Sequence, residues 1–226
     1  MTRETQNVLA FAAPFAAWIG LQTVLPATAW AYAVRAAAAA AALLAASGRL
    51  RRLCAAGASA APLLPRALWG LAGGLLVLAL WILPESSAFY RTWCVWPIGV
   101  PPAATAEPSP YDPAVCGWTL TVAKLVGSAF VIAPAEELFF RSFLYRRLQR
   151  RDFLSVPPSR FDPSAFAWTV CLFSLEHDRL LAAALCGVVY GLLALRHGLL
   201  AAVVAHVTTN LLLAVYVIAT GRWGFW

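Results

Sequence analysis

A chain of 226 residues that is 62% hydrophobic and 12% charged falls outside the composition of soluble domains, which excludes a soluble enzyme or binding module. The net charge of +7 comes mostly from arginines at the ends of apolar runs, a placement that suits headgroup contact and topology setting. No basic groove interleaved with aromatics is present, so nucleic acid is excluded as a partner.

About 20 apolar residues cross the ~30 Å of bilayer hydrocarbon. Seven candidate spans follow in chain order, at 8–25, 28–47, 67–83, 117–144, 164–178, 180–196 and 198–219, and the expected fold is an all-α polytopic transmembrane helix bundle. Pro26 separates the first two spans. The alanine run Ala36 to Ala42 favours helix but is only modestly apolar, making the second span the weakest lipid-facing element. A signal peptide is the alternative for the first span, because Ala27-Thr28-Ala29 resembles a cleavage site. Against it, Glu4 offsets Arg3 and the apolar core exceeds the usual ~7–15 residues.

Arg49, Arg51, Arg52 and Arg66 flank the loop after span two, and Arg146, Arg147, Arg150, Arg151 and Arg160 follow span four. Positive charge marks the cytoplasmic side, so the N-terminus is expected inside, the 84–116 loop outside and the C-terminus outside, with Trp223, Phe225 and Trp226 as an interfacial anchor. The outer loop, with Glu85, Glu107 and Asp112 among prolines and aromatics, reads as irregular. Its Cys94 and Cys116 are able to pair in an oxidising compartment or to remain thiols. The five cysteines show no zinc-ligand spacing. Within one integral membrane domain, residues 1–116 hold the N-terminal spans and outer loop, and residues 117–226 hold the motif-bearing bundle.

Charge inside a span is expensive and marks function. PAEELFFRSFLYRRLQRR, from Pro134 to Arg151, carries Glu136, Glu137 and Arg141. Residues four apart share a helix face, so Glu137 pairs with Arg141, while Glu136, rotated by about 100°, is left for chemistry. Read alone, the pattern is equally a structural ion pair. In FSLEHD, Phe173 and His177 lie four apart near the end of the fifth span, with Glu176, Asp178 and Arg179 expected in an exposed turn. In HVTTN, His206 and Asn210 present two hydrogen-bonding groups on one face of the seventh span, fit for an oxyanion, a metal or interhelical bonding; Thr208 and Thr209 read as backbone-bonded or packing residues.

Depth is consistent for two motifs: at ~1.5 Å per residue Glu136 lies about 15 Å from Arg146, and His206 about 12 Å beyond Gly198. His177 comes out near ~20 Å from the start of its span, so that helix must tilt, begin deeper or be broken. Lys124 and Arg35 lie toward outer span ends, where snorkelling to the interface or a contact to a substrate carboxylate is open to them. His197, after Arg196 in a tight inner turn, reads as interfacial. Gly187, Gly191 and Ala194 allow close helix packing.

EELFFR, FSLEH and HVTTN, in this order on spans four, five and seven, resemble the three motifs of the CPBP family, which includes type II CAAX prenyl endopeptidases and bacterial Abi proteins; the resemblance covers residues 117–219. It implies an intramembrane endopeptidase in which Glu136 and His177 activate a water and His206 and Asn210 stabilise the oxyanion, with Glu137, Arg141 and Phe173 in support. The implied partner is a membrane protein or peptide substrate in the lipid bilayer. FSLEHDRLLAAALCGVVYGLL and YVIATGRWGFW further resemble a bacterial, exosortase-associated branch, which implies the inner membrane. The implied mechanism needs no cofactor. Many relatives are called metalloproteases, so zinc on Glu136, His177 and His206 stays an alternative, although HExxH is absent. A cavity open to the cytoplasmic side is expected to bring water to this depth. A non-proteolytic scaffold or immunity protein on the same fold is the competing class; a transporter is disfavoured because no repeated halves are seen.

Overall fold

The computed structural model describes residues 1–56, 62–89, 92 and 109–226. The described chain is helical, in seven helices. These are α1 (Arg3–Gln22), α2 (Ala29–Ala56), α3 (Leu63–Ile82), α4 (Pro113–Gln149), α5 (Pro163–Ser174), α6 (Leu180–His197) and α7 (Leu199–Thr220). Each falls on one of the seven expected runs. Five of them, α2, α3, α4, α6 and α7, are long and apolar enough to cross a membrane. The other two, α1 and α5, fall short of that length or composition. The first turns of α1 carry Arg3, Glu4, Gln6 and Asn7, and α5, at 12 residues, is about 18 Å long. Glu107 and the proposed Cys94–Cys116 pair lie outside the described residues in whole or in part.

Local chemistry sets the helix starts. Asp112 and Asp162 each stand before a proline, and each carboxylate accepts from a backbone N–H of the first turn, at 2.8 Å from Ala114 and 2.9 Å from Ala165. Proline at the first helical position gives up a donor that had no partner there. Between α6 and α7 the chain reverses at Gly198, whose φ of +84° suits a residue without Cβ.

α3 lies along α7, α1 along α2, and α6 is sandwiched against α5, α3 and α7. The core between them is built from Phe15, Val77, Phe140, Phe173, Tyr190 and Ala205, with smaller residues filling in. Trp118, Val122, Val126 and Phe130 recur every four residues along α4 and are exposed, forming an apolar stripe for acyl chains, while Ala129, Ala133, Glu136 and Glu137 turn inward. Phe11 and Phe15 of α1 are buried in the bundle, so the first helix serves as a structural member of it.

α4 is not a uniform α-helix. It widens into π turns at Ser128–Ile132 and again at Leu138–Leu144. Pro134 lacks an N–H and crowds the preceding turn, which explains the first widening. The short α segment Ala133–Glu137, carrying both glutamates, is held between the two π turns. π insertions of this kind gather at functional sites.

Candidate active site

The site is assembled from α4, α7 and the turn after α5. Glu137 is fully buried, and its Oε2 lies 3.3 Å from Arg141 Nε, the pairing expected from their spacing. Its other oxygen accepts from His206 Nδ1 at 3.0 Å. Glu136, one residue earlier, turns elsewhere: its Oε2 lies 3.8 Å from His206 Nε2 and has no hydrogen-bond partner among the described residues. One carboxylate is thus tied on both sides, and its neighbour faces the free edge of the same imidazole.

His177 is not on a helix. α5 ends at Ser174, and His177 sits in the turn that leads to α6, where its Nδ1 lies 2.9 Å from the Phe173 carbonyl, which also accepts from the Glu176 N–H at 3.4 Å. The break resolves the depth mismatch. Because a carbonyl only accepts, Nδ1 carries the proton and Nε2 keeps its lone pair. Phe173 is central to the packing: its ring lies 4.7 Å from His177, 6.1 Å from His206 and 4.5 Å from the Arg141 guanidinium.

Asn210 donates from Nδ2 to the Ser128 carbonyl at 3.1 Å, a bond across to the first π turn of α4. That amide has a second N–H, and the residue lines a cavity of about 250 Å³ together with Glu136, Glu176 and His177. His206 stands behind Glu136. The cavity continues past Lys124, Tyr32 and Gln22 to Trp226, toward the end of the bundle away from the arginine-rich turns. This corrects the expectation of a cavity opening at the basic, cytoplasmic end. The Glu137–Arg141 pair stands between this cavity and the basic end of the bundle.

The structure differs from the sequence reading at Arg179 and gives surroundings to three further residues. Arg179, expected exposed, is buried and paired with Glu85, which lies directly after α3; the pair anchors the turn bearing His177. Arg35 is buried over Trp18, 4.5 Å from the ring centroid, and Lys124 Nζ stands 4.1 Å over Tyr32 and 4.5 Å over Tyr111. Both join an aromatic box at the mouth of the cavity. His197 stacks on Trp69 and is half-buried.

Tyr190, which has no place in the sequence reading, and Thr209, read there as backbone-bonded or packing, hold the imidazole from behind. Tyr190 of α6 stacks on His206 at 4.6 Å, and its hydroxyl donates to Thr209 Oγ1 at 2.9 Å. Thr209 donates in turn to the Gly74 and Ala205 carbonyls, both at 3.0 Å. Gly74 and Gly70 let α3 approach α7 backbone to backbone, and their small-xxx-small spacing is a signal the sequence offers. Tyr190 has no comparable signature.

Residues 118–212 match the family model described as type II CAAX prenyl endopeptidase Rce1-like. The matched stretch contains all three motifs. The similarity is to a family of membrane proteases and supports a peptide hydrolase in an integral membrane protein. No curated protein and no solved structure matches the chain.

Zinc does not fit this arrangement. Among the described residues no three His, Cys, Asp or Glu side chains converge as a metal-ligand set.

Proposed function

We propose that this protein is an intramembrane endopeptidase that hydrolyses a peptide bond in a membrane-associated protein or peptide. The observation that carries the reading is the meeting of Glu136, His177 and Asn210 on one cavity, with His206 at 3.8 Å from Glu136.

Glu136 and His177 activate a water held between them; the proton passes to Glu136 as the hydroxide oxygen bonds to the scissile carbonyl carbon. The resulting oxyanion is met by the spare Asn210 N–H and by His206 Nε2–H. For Nε2 to donate while Nδ1 donates to Glu137, His206 is an imidazolium. Charge balance supports that state: Glu136 and Glu137 then face Arg141 and His206, and the buried cluster sums to zero. When the C–N bond breaks, Glu136 returns its proton to the leaving amine, giving one carboxylic acid and one amine per water consumed. Glu137 and Arg141 orient His206, and Phe173 packs the three groups together.

The positive-inside rule applied to the basic loops supports α4's C-terminal end in the cytoplasm, with the N-terminus inside, the C-terminus outside and the cavity entered from the outer side. The longer string resembling an exosortase-associated branch supports a bacterial inner membrane and a substrate presented at that face.

The test compares membrane proteomes of a deletion strain, a strain expressing the wild-type protein and one expressing Glu136→Ala. Fragments present only with the wild type identify the substrate, and its peptide is then cleaved by purified protein in detergent. His177→Ala and Glu136→Ala are expected to abolish cleavage, and Asn210→Ala to lower the rate about 10²–10³-fold, as for a lost oxyanion donor. Identical proteomes in all three strains would favour the non-proteolytic scaffold.

A further inference from the structure

At the end of the bundle opposite the site cavity, a second cavity of about 660 Å³ has no part in the chemistry above. Five arginines from four elements reach its wall: Arg51 of α2, Arg66 of α3, Arg141 and Arg146 of α4, and Arg196 of α6. The lining includes no aspartate or glutamate. Among the described residues only Arg141 of the five has a carboxylate within ion-pair distance. Arg66 and Arg146 spend part of their guanidinia on the carbonyls of His197, Val156 and Leu154, which fixes their planes. Arg141, 93% buried, holds its Nη1 without any hydrogen-bond partner among the described residues.

So many like charges around one cavity repel each other unless an anion sits among them. Guanidinia bind phosphate oxygens in a forked, two-point geometry. The rest of the wall is apolar, with Leu53, Leu195, Leu199, Leu200 and Val203. Phosphate at one end and hydrocarbon at the other describe a phospholipid. Cavities of this kind, between transmembrane helices at their basic ends, suit anionic headgroups.

We propose that this arginine-lined cavity is a binding site for an anionic phospholipid, its headgroup phosphate on Arg51, Arg66 and Arg196 and its acyl chains along α7. The assignment does not depend on the catalytic reading. Arg51 and Arg196 are exposed and belong to no buried pair, so Arg51→Gln with Arg196→Gln tests it without threatening the fold.

Native mass spectrometry of the protein purified in detergent, with phosphatidylglycerol, phosphatidylcholine or inorganic phosphate added, distinguishes the sources. The expected result is retention of one phosphatidylglycerol, at least tenfold preferred over phosphatidylcholine, and a tenfold or greater loss of retention in the double variant. Arg66→Lys, which keeps the charge but loses the fork, is expected to weaken retention severalfold. Equal retention of the two lipids, or an unchanged double variant, overturns the proposal. Binding of inorganic phosphate that displaces phosphatidylglycerol and matches its affinity overturns the lipid assignment in favour of a free-anion site.

Discussion

The close approach of α3 to α7 gives a sharp test of how the site is held. A Cβ built on Gly74 meets the Ala205 carbonyl oxygen at 2.6 Å and Thr208 Cβ at 2.7 Å, whereas ordinary contact begins at 3.4 Å. A backbone oxygen in mid-helix cannot swing away, so Gly74→Ala must part the two helices by about 0.8 Å, next to His206. Overpacking of this kind costs about 1–3 kcal/mol, offset by up to about 1 kcal/mol of helix propensity gained over glycine. A net loss of about 1–2 kcal/mol predicts a melting temperature lower by about 2–8 °C for a chain of this size. A shift approaching 1 Å at a catalytic group costs up to ~10²-fold in rate, so tens-fold slower cleavage is expected. Gly73→Ala is the internal control. Its Cβ comes too close only to Leu193 Cδ1, at 2.5 Å, the far end of a flexible side chain, and the damage is expected to be slight. Gly48→Ala, with nothing within 4 Å, is expected to be neutral or stabilising. A thermal melt of the detergent-purified variants, paired with the cleavage assay, reads both effects. Equal outcomes for Gly73→Ala and Gly74→Ala would refute the reasoning.

Breaking the buried Arg179–Glu85 pair from one side, with Glu85→Ala, strands a guanidinium and is expected to cost about 3–5 kcal/mol, read as a large drop in melting temperature. Replacing both partners with leucine is expected to recover most of that stability while leaving the His177 turn less well fixed. Glu137→Gln keeps the shape but removes the acceptor charge from His206 Nδ1; cleavage is expected to slow by about 10²-fold or more with KM little changed and the fold retained. Since no three ligands converge, cleavage is expected to survive a chelator at millimolar concentration, and inhibition reversed by zinc would contradict the site as described.

How far the sequence foretold this arrangement depends on the range of the interaction. Apolar runs and Pro26 announce the helices, because length and hydropathy are local properties, and the observed helices fall on the expected runs. The Glu137–Arg141 pair is equally local, fixed by helix spacing alone. The end of α5 at Ser174 was legible only as a depth conflict: nothing between Cys171 and Leu175 breaks a helix by composition. Arg179 was misread because its partner Glu85 lies 94 positions away, and an arginine in a turn is ordinarily solvated. The direction of the cavity was misread for the same reason, since it depends on contacts between helices far apart in the chain. Gly70 and Gly74 carried a usable motif, but its meaning required knowing that the facing helix bears His206.

Arg141 links the two ends of the molecule. Its Nε pairs with Glu137 beside His206, and its guanidinium forms part of the wall of the basic cavity, while Glu136 faces the other cavity five positions earlier on the same helix. The Glu137–Arg141 pair is therefore the partition between a cavity lined by arginines and one lined by the candidate catalytic groups. A partition made of one ion pair is rigid only while both charges are satisfied. An anion on the arginine side neutralises excess positive charge there without drawing on Glu137, and so leaves that carboxylate to His206. The cluster that reads as costly in the sequence, two glutamates and an arginine within six residues of a span, is thus distributed over two faces with opposite duties.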